Sequence, residues 1–258
     1  MDETTDPADR GQPATLTPGD EAMLARAQTL VEIAEAALRD IAQPYPADDR
    51  GALLRDALHL KALADELVGR AVTAERERGA SWAEIGDAAE VTRQAAHERW
   101  TTRVGHWILL GRRRAGVFTG GDRDSVRHAA DLDRWYTVLL PGSGDRPSGL
   151  LASLHDEDAR AKAAYLRSEA EQLRFGAEKL RGECTAAYGA VMEASGTPTA
   201  EEKRAVWATR TLALAEVYDR LAAVEEPVAT EHRRTAATHR SIARDILTPP
   251  TKRHRQSA

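Results

Sequence analysis

The sequence predicts an all-α fold, and three observations carry that prediction. Aromatic residues make up 5% of the 258-residue chain while 42% of it is hydrophobic, and much of that fraction is alanine, which favours closely packed helices over sheets rich in Val, Ile and Phe. Apolar residues recur at alternating steps of three and four over long stretches, the period of one helical face. Proline and glycine gather between those stretches, where they break helices. The length suits one large or two modest domains with a real core.

Taken in order, residues 1–16 are polar and contain proline; they carry too little apolar surface to offset the entropy of ordering and are expected to form a disordered tail. Thr17 is placed to cap a helix with Pro18 at its first position. Leu24, Ala27, Val31, Ala34, Leu38 and Ile41 line one face of that helix, which ends before Pro44. After the link Gln43 to Asp49 a second stripe runs through Leu53, Ala57, Leu60, Ala64, Leu67 and Ala71, and so short a link makes the pair an antiparallel hairpin. Residues 17–116 are read as one helical domain. Residues 117–150 follow as a connecting segment, with a short helix around Ser125 to Leu140 and a candidate strand or wing at Val117 to Thr119.

A second helical region is expected over 151–248. Ala159, Ala163, Leu166, Ala170, Leu173, Ala177, Leu180, Cys184, Ala187, Val191 and Ala194 form a coiled-coil-like seam. Gly196 and Pro198 break it. Trp207, Thr211, Leu214, Val217, Leu221 and Val224 resume it, which predicts a long antiparallel hairpin. Pro227 interrupts that run, a last helix reaches about Leu247, and Pro249 and Pro250 introduce a basic tail at 249–258.

The segment Ser81 to Trp100 carries the most chemistry. Ser81 and Glu84 are spaced as a capping box, in which each side chain satisfies the other's orphan amide. A short helix starts at Trp82, with Ile85 and Ala89 facing inward and Gly86 leaving room for a crossing helix. Thr92 caps a second helix through Trp100, and Val91 plugs the turn. The whole stretch resembles the helix-turn-helix of bacterial regulators and of promoter-reading sigma-factor domains. It is especially similar to actinobacterial regulators in which a like Arg-Gln-Ala-Ala-His opens the recognition helix. The family usually has glycine in the turn where this chain has Glu90, a departure that costs about 1 kcal/mol. The stretch Leu132 to Tyr136 also resembles uncharacterised proteins of that kind, with no function attached.

The resemblance implies that Thr92, Arg93, Gln94 and His97 face the major groove of double-stranded DNA. Gln94 pairs with adenine, Arg93 forks onto guanine or a phosphate, and Thr92 reaches a phosphate or a thymine methyl. Glu98 could accept from cytosine. Ser81, Arg99, Arg103, Arg112, Arg113 and Arg114 are the expected phosphate contacts, although Arg112 to Arg114 read equally well as a solvated charged surface. Trp82 and Trp100 are expected in the core rather than as stacking groups.

Charge supports the assignment locally. The chain has a net charge of −5, and residues 1–50 hold eleven carboxylates against four arginines, yet residues 91–116 hold six arginines against Glu98 alone. No catalytic constellation is legible, so the chain reads as a non-enzyme without cofactor. The eight histidines form no zinc pattern, Glu231, His232 and His239 read as solvated helix surface, and Asp156 and Asp158 read as helix-start charges. Cys184 reads as a small buried thiol. No apolar run reaches membrane-spanning length and no secretory signal is present, so the expected location is cytoplasmic, associated with the nucleoid when bound to DNA. The seam over 153–247 predicts a homodimer or a helical protein partner. The rival function is a helical adaptor acting through that C-terminal surface.

Overall fold

The computed structural model describes residues 16–42, 50–114, 123–142, 148 and 156–248. Among the described residues there are eight α-helices and no strand: α1 (Pro18–Ile41), α2 (Ala52–Glu77), α3 (Trp82–Ala88), α4 (Arg93–Leu109), α5 (Arg123–Leu139), α6 (Glu157–Glu193), α7 (Ala200–Val224) and α8 (Ala229–Leu247). The fold class is the expected one. Two compact units divide at Arg167 and Ser168, inside α6, so the boundary expected near residue 150 falls within a helix. Val117 to Thr119, the link 43–49 and the tail 249–258 lie outside the described residues.

The first unit opens as the sequence dictates. The Thr17 hydroxyl accepts the Asp20 amide at 3.1 Å, and Pro18 occupies the first turn. Leu16, assigned to the tail, is instead fully buried and accepts a bond from Arg167 at 2.6 Å through its carbonyl. It packs with Leu24 and Ala27 of α1 and with Ala129 and Leu132 of α5. The helix in the expected connecting segment is therefore part of this core. Asp133 on α5 has a structural task, accepting both the amide and the hydroxyl of buried Ser148 at 3.1 and 3.0 Å.

The apolar stripes of α1 and α2 extend further than their burial. Leu38 and Ile41 are exposed at the end of α1, and Leu53, Ala57 and Ala64 are exposed on α2. The buried part of α2 is its last third, at Gly69, Val72, Thr73, Ala74, Arg76 and Glu77, because that is where α4 and the start of α1 cover it.

In the second unit, Ala170 and Leu173 of α6 pack on Leu221, Val217, Tyr218 and Val224 of α7. Arg174 reaches Glu225 at 2.5 Å and Glu183 meets Arg210 at 3.0 Å, pairings that run antiparallel as expected. The seam read as an invitation to a second copy is thus covered, over this stretch, by the chain's own α7. The close backbone pair is a different one. Ala208, Ala215, Ala222, Ala229, Ala236 and Ala243 recur every seven residues, all buried, and α7 and α8 lie together along their lengths. A side chain of one carbon lets two helix axes approach closely. Pro227 sits in a single 3₁₀ turn, Glu226–Val228, that joins them. His232 is not solvated surface: it is buried, 2.7 Å from Glu225. Cys184 is half-buried, 3.9 Å from the Thr211 hydroxyl.

Candidate nucleic-acid interface

Helices α3 and α4 are joined by a tight turn, and every corner of the pair is fixed by a local bond. The Ser81 hydroxyl accepts the Glu84 amide at 3.2 Å, and the Ser81 amide donates to the Glu84 carboxylate at 2.7 Å, completing the capping box. The Ser81 amide, with a smaller contribution from its hydroxyl, holds the Glu84 carboxyl below its ordinary range. The Thr92 hydroxyl accepts the Ala95 amide at 3.1 Å and starts α4.

Between the two helices the chain turns on Glu90, which takes the left-handed conformation with φ 55°. Its amide bonds to the Asp87 carbonyl at 3.2 Å, and the amide of Val91 bonds to the Gly86 carbonyl at 2.9 Å. That is the double bond pattern that closes a helix on a left-handed residue. The close of α3 also explains Gly86. A Cβ there would stand 2.9 Å from the Val91 carbonyl oxygen and 3.1 Å from the Arg93 amide nitrogen, so the space expected for a crossing helix is filled by the turn itself.

The inner faces of the motif share one core, made of Val72 from α2, Trp82 and Ile85 from α3, and Ala96, Trp100 and Val104 from α4, with Val91 packed against it. Both tryptophans are core residues, as expected. Ala89, expected to face inward, is exposed, because α3 ends at Ala88 and the turn carries the chain outward. Helix α4 runs past Trp100 to Leu109, so Val104 and Trp107 add two further turns of anchorage.

The sequence-predicted contacts separate into two groups. Thr92, Arg93, Gln94 and Arg99 are exposed on α4 together with Glu98. The Gln94 carboxamide donates to Glu98 at 2.9 Å, and Arg99 lies over the Trp100 ring at 5.0 Å. His97 is half-buried, its ring edge-on to Trp82 at 5.3 Å. Ser81 is exposed, with its hydroxyl already engaged in the capping box.

The second group corrects the phosphate assignment. Arg103 grips the Glu66 carboxylate with both terminal nitrogens, one of them at 2.9 Å, which draws the Glu66 carboxyl down to about 2. Arg112 is buried and donates to Glu77 at 2.9 and 2.5 Å, and the same carboxylate accepts the Trp107 indole N–H at 2.7 Å. Arg114 reaches buried Glu21 at 3.4 Å and also Gln28 and Ser125. Three of the six arginines counted toward a positive field are therefore neutralised by carboxylates of α1 and α2, and neither buried guanidinium can meet a phosphate. Arg113 lines a cavity beside them.

Sequence reasoning missed those carboxylates because the three pairs join residues 35 or more positions apart. Its count of charge over residues 91–116 also left out Glu84, Asp87 and Glu90, which are exposed along α3 and the turn. Gly79 and Gly111, both at positive φ just beyond α2 and α4, were the one available signal that the chain doubles back at each place.

No family model matches the chain, and no solved structure matches it. Among curated proteins it is similar to an uncharacterized protein of Mycobacterium bovis and to uncharacterized proteins of two Mycobacterium tuberculosis strains, each 39% identical over 70 residues. The chain spans 28% of the length of these relatives, and the shared stretch is 27% of its own. Among the described residues no helix is long and apolar enough to cross a membrane, and no three metal-ligating side chains stand together.

Proposed function

We propose that this protein is a sequence-specific DNA-binding regulator of the cytoplasm that reads the major groove with the first turns of α4. The observation that carries the reading is the division of α4. Ala96, Trp100 and Val104 are locked into the core, while Thr92, Arg93 and Gln94 stand exposed at its capped start, the arrangement by which a helix-turn-helix offers side chains to base edges. Arg93 and Gln94 supply the base contacts and Arg99 a phosphate contact. With Arg103, Arg112 and Arg114 engaged internally, few phosphates are neutralised, and the dependence of binding on salt is shallow.

The test is selection of genomic fragments by the full chain, followed by the double substitution Arg93→Ala, Gln94→Ala. Loss of about tenfold or more in affinity for the selected fragments, with the fold intact, supports the reading. Unchanged binding removes α4 from the interface.

A second reading, a helical adaptor, is favoured by the acidic residues beside the motif and by apolar side chains left exposed on α6, notably Phe175 at 78% and Met192 at 57%. In that case the double substitution is silent and Phe175→Ser abolishes capture of the partner.

A further inference from the structure

Gln94 and Glu98 stand one helical turn apart on the side of α4 that faces away from Ala96 and Trp100, the residues held in the core. Both are exposed, and the Gln94 carboxamide nitrogen donates to a Glu98 carboxylate oxygen at 2.9 Å. Charge fixes this orientation, because the reversed carboxamide would set its own oxygen against the carboxylate. Among the described residues no arginine or lysine pairs with Glu98, and the Gln94 carboxamide has no second partner. What Gln94 has left to offer is one acceptor oxygen and one N–H.

That remainder decides which base edge the side chain can meet. In the major groove adenine presents an acceptor at N7 and a donor at N6, whereas guanine presents two acceptors, N7 and O6. An unrestrained carboxamide can turn both of its N–H groups toward guanine. One with an N–H held by Glu98 cannot, and the carboxylate repels the same two guanine acceptors. We propose that Glu98 is a positioning residue that makes Gln94 read adenine and reject guanine. The inference rests on α4 being the DNA-reading helix. Glu98 lies a turn further from the capped start of α4 than Gln94, so its carboxylate, expected to accept from cytosine, acts through Gln94 instead. Holding the carboxamide in advance lowers the entropy cost of the base contact, while the negative charge opposes the approach of phosphates. Glu98 therefore adds specificity and subtracts affinity.

The test is selection of duplexes from a randomised pool by the full chain, followed by affinities for the selected duplex and for copies with guanine replacing each preferred adenine. The Gln94 position is the one whose preference Gln94→Ala erases. There the wild-type chain is expected to favour adenine over guanine about tenfold or more. Glu98→Ala is expected to cut that preference about threefold or more while binding the adenine duplex at least as tightly, since a carboxylate leaves the interface. Glu98→Gln restores an acceptor beside Gln94 and is expected to keep the preference. Both side chains are exposed, and an unchanged urea midpoint checks that each variant is folded. An undiminished adenine preference in Glu98→Ala overturns the inference and leaves the reading of α4 intact, as does a parallel loss of affinity for both duplexes. Selection of no sequence, or wild-type binding by the Arg93→Ala, Gln94→Ala variant, overturns the reading and the inference together.

Discussion

The turn between α3 and α4 and the seam between α7 and α8 both press backbones together, by opposite means. In the turn a single glycine, Gly86, lies against the chain from Val91 to Arg93, and Ser81, Glu84, Glu90 and Thr92 fix everything else within one short stretch. In the seam six alanines seven apart share the approach, none more than 4% exposed, and neither helix has a side-chain cap bond at its start. A close contact can thus be specified by a few bonds between near neighbours, or by a small residue repeated along two helices. Local bonds leave a conspicuous signature in the chain. A repeated alanine passes for mere composition.

The largest expected effect shows that the turn's unit also depends on distant residues. Glu77→Ala leaves Arg112 buried without its carboxylate and strips the Trp107 indole of its acceptor. Removing one partner of a buried ion pair costs about 3–5 kcal/mol. Urea unfolding should show a midpoint lowered to match, and a loss below 1 kcal/mol would mean that the local caps suffice on their own.

Next come the two contacts themselves. Gly86→Ala sets a Cβ 2.9 Å from a backbone oxygen that cannot swing aside, and Ala236→Leu inserts three carbons where exposure is 0%. Both should cost about 1–3 kcal/mol by overpacking. The comparison predicts different relief: Gly86 is one fixed point, whereas a seam spread over six alanines can shift along its length. Reducing a seam residue of α7, Ala222→Gly, should therefore recover part of the Ala236→Leu loss in a double-mutant cycle, and an additive result would show that the seam does not give.

These same features explain what the sequence made legible. Ser81, Glu84, Thr92 and Gly86 act within three to seven residues of their partners, so spacing alone reveals them. The all-α class and the α6 seam follow from periodicity, and none of the eleven seam residues is exposed. The alanine repeat of α7 and α8 stayed hidden because the larger Trp207, Leu214, Val217 and Leu221 defined the expected face of α7. The roles of Arg103, Arg112 and Arg114 stayed hidden for another reason. An arginine that pairs with a distant glutamate cannot be told from one that meets a phosphate until the fold sets Glu66, Glu77 and Glu21 beside them.

A smaller effect separates a partly exposed pair from the buried ones. The Glu66 carboxyl falls from an ordinary value near 4.5 to about 2, chiefly through its bonds to Arg103. A depressed folded-state value means stability that is fully present above pH 4.5 and is lost as the pH falls through about 2. The pair is a third exposed and screened by solvent, so the effect should be modest. Glu66→Gln should reduce the acid dependence of the urea midpoint in that window, and an unchanged acid limb would place the titration elsewhere.

The smallest prediction returns to the turn. Glu90 holds φ 55° with a side chain attached, at a cost on the order of 1 kcal/mol relative to glycine. Glu90→Gly removes that cost but gives the unfolded chain more freedom, which offsets part of the gain. The net should be a stabilisation of a few tenths to about 1 kcal/mol. Glu90→Gln keeps the strain and removes only the charge, so it should leave stability nearly unchanged. The two variants also divide the turn's geometry from its electrostatics. If α4 contacts DNA, both should bind more tightly, because each removes a carboxylate beside Arg93. If only the glycine variant changes anything, and only in its unfolding midpoint, Glu90 is a strained helix end and nothing more.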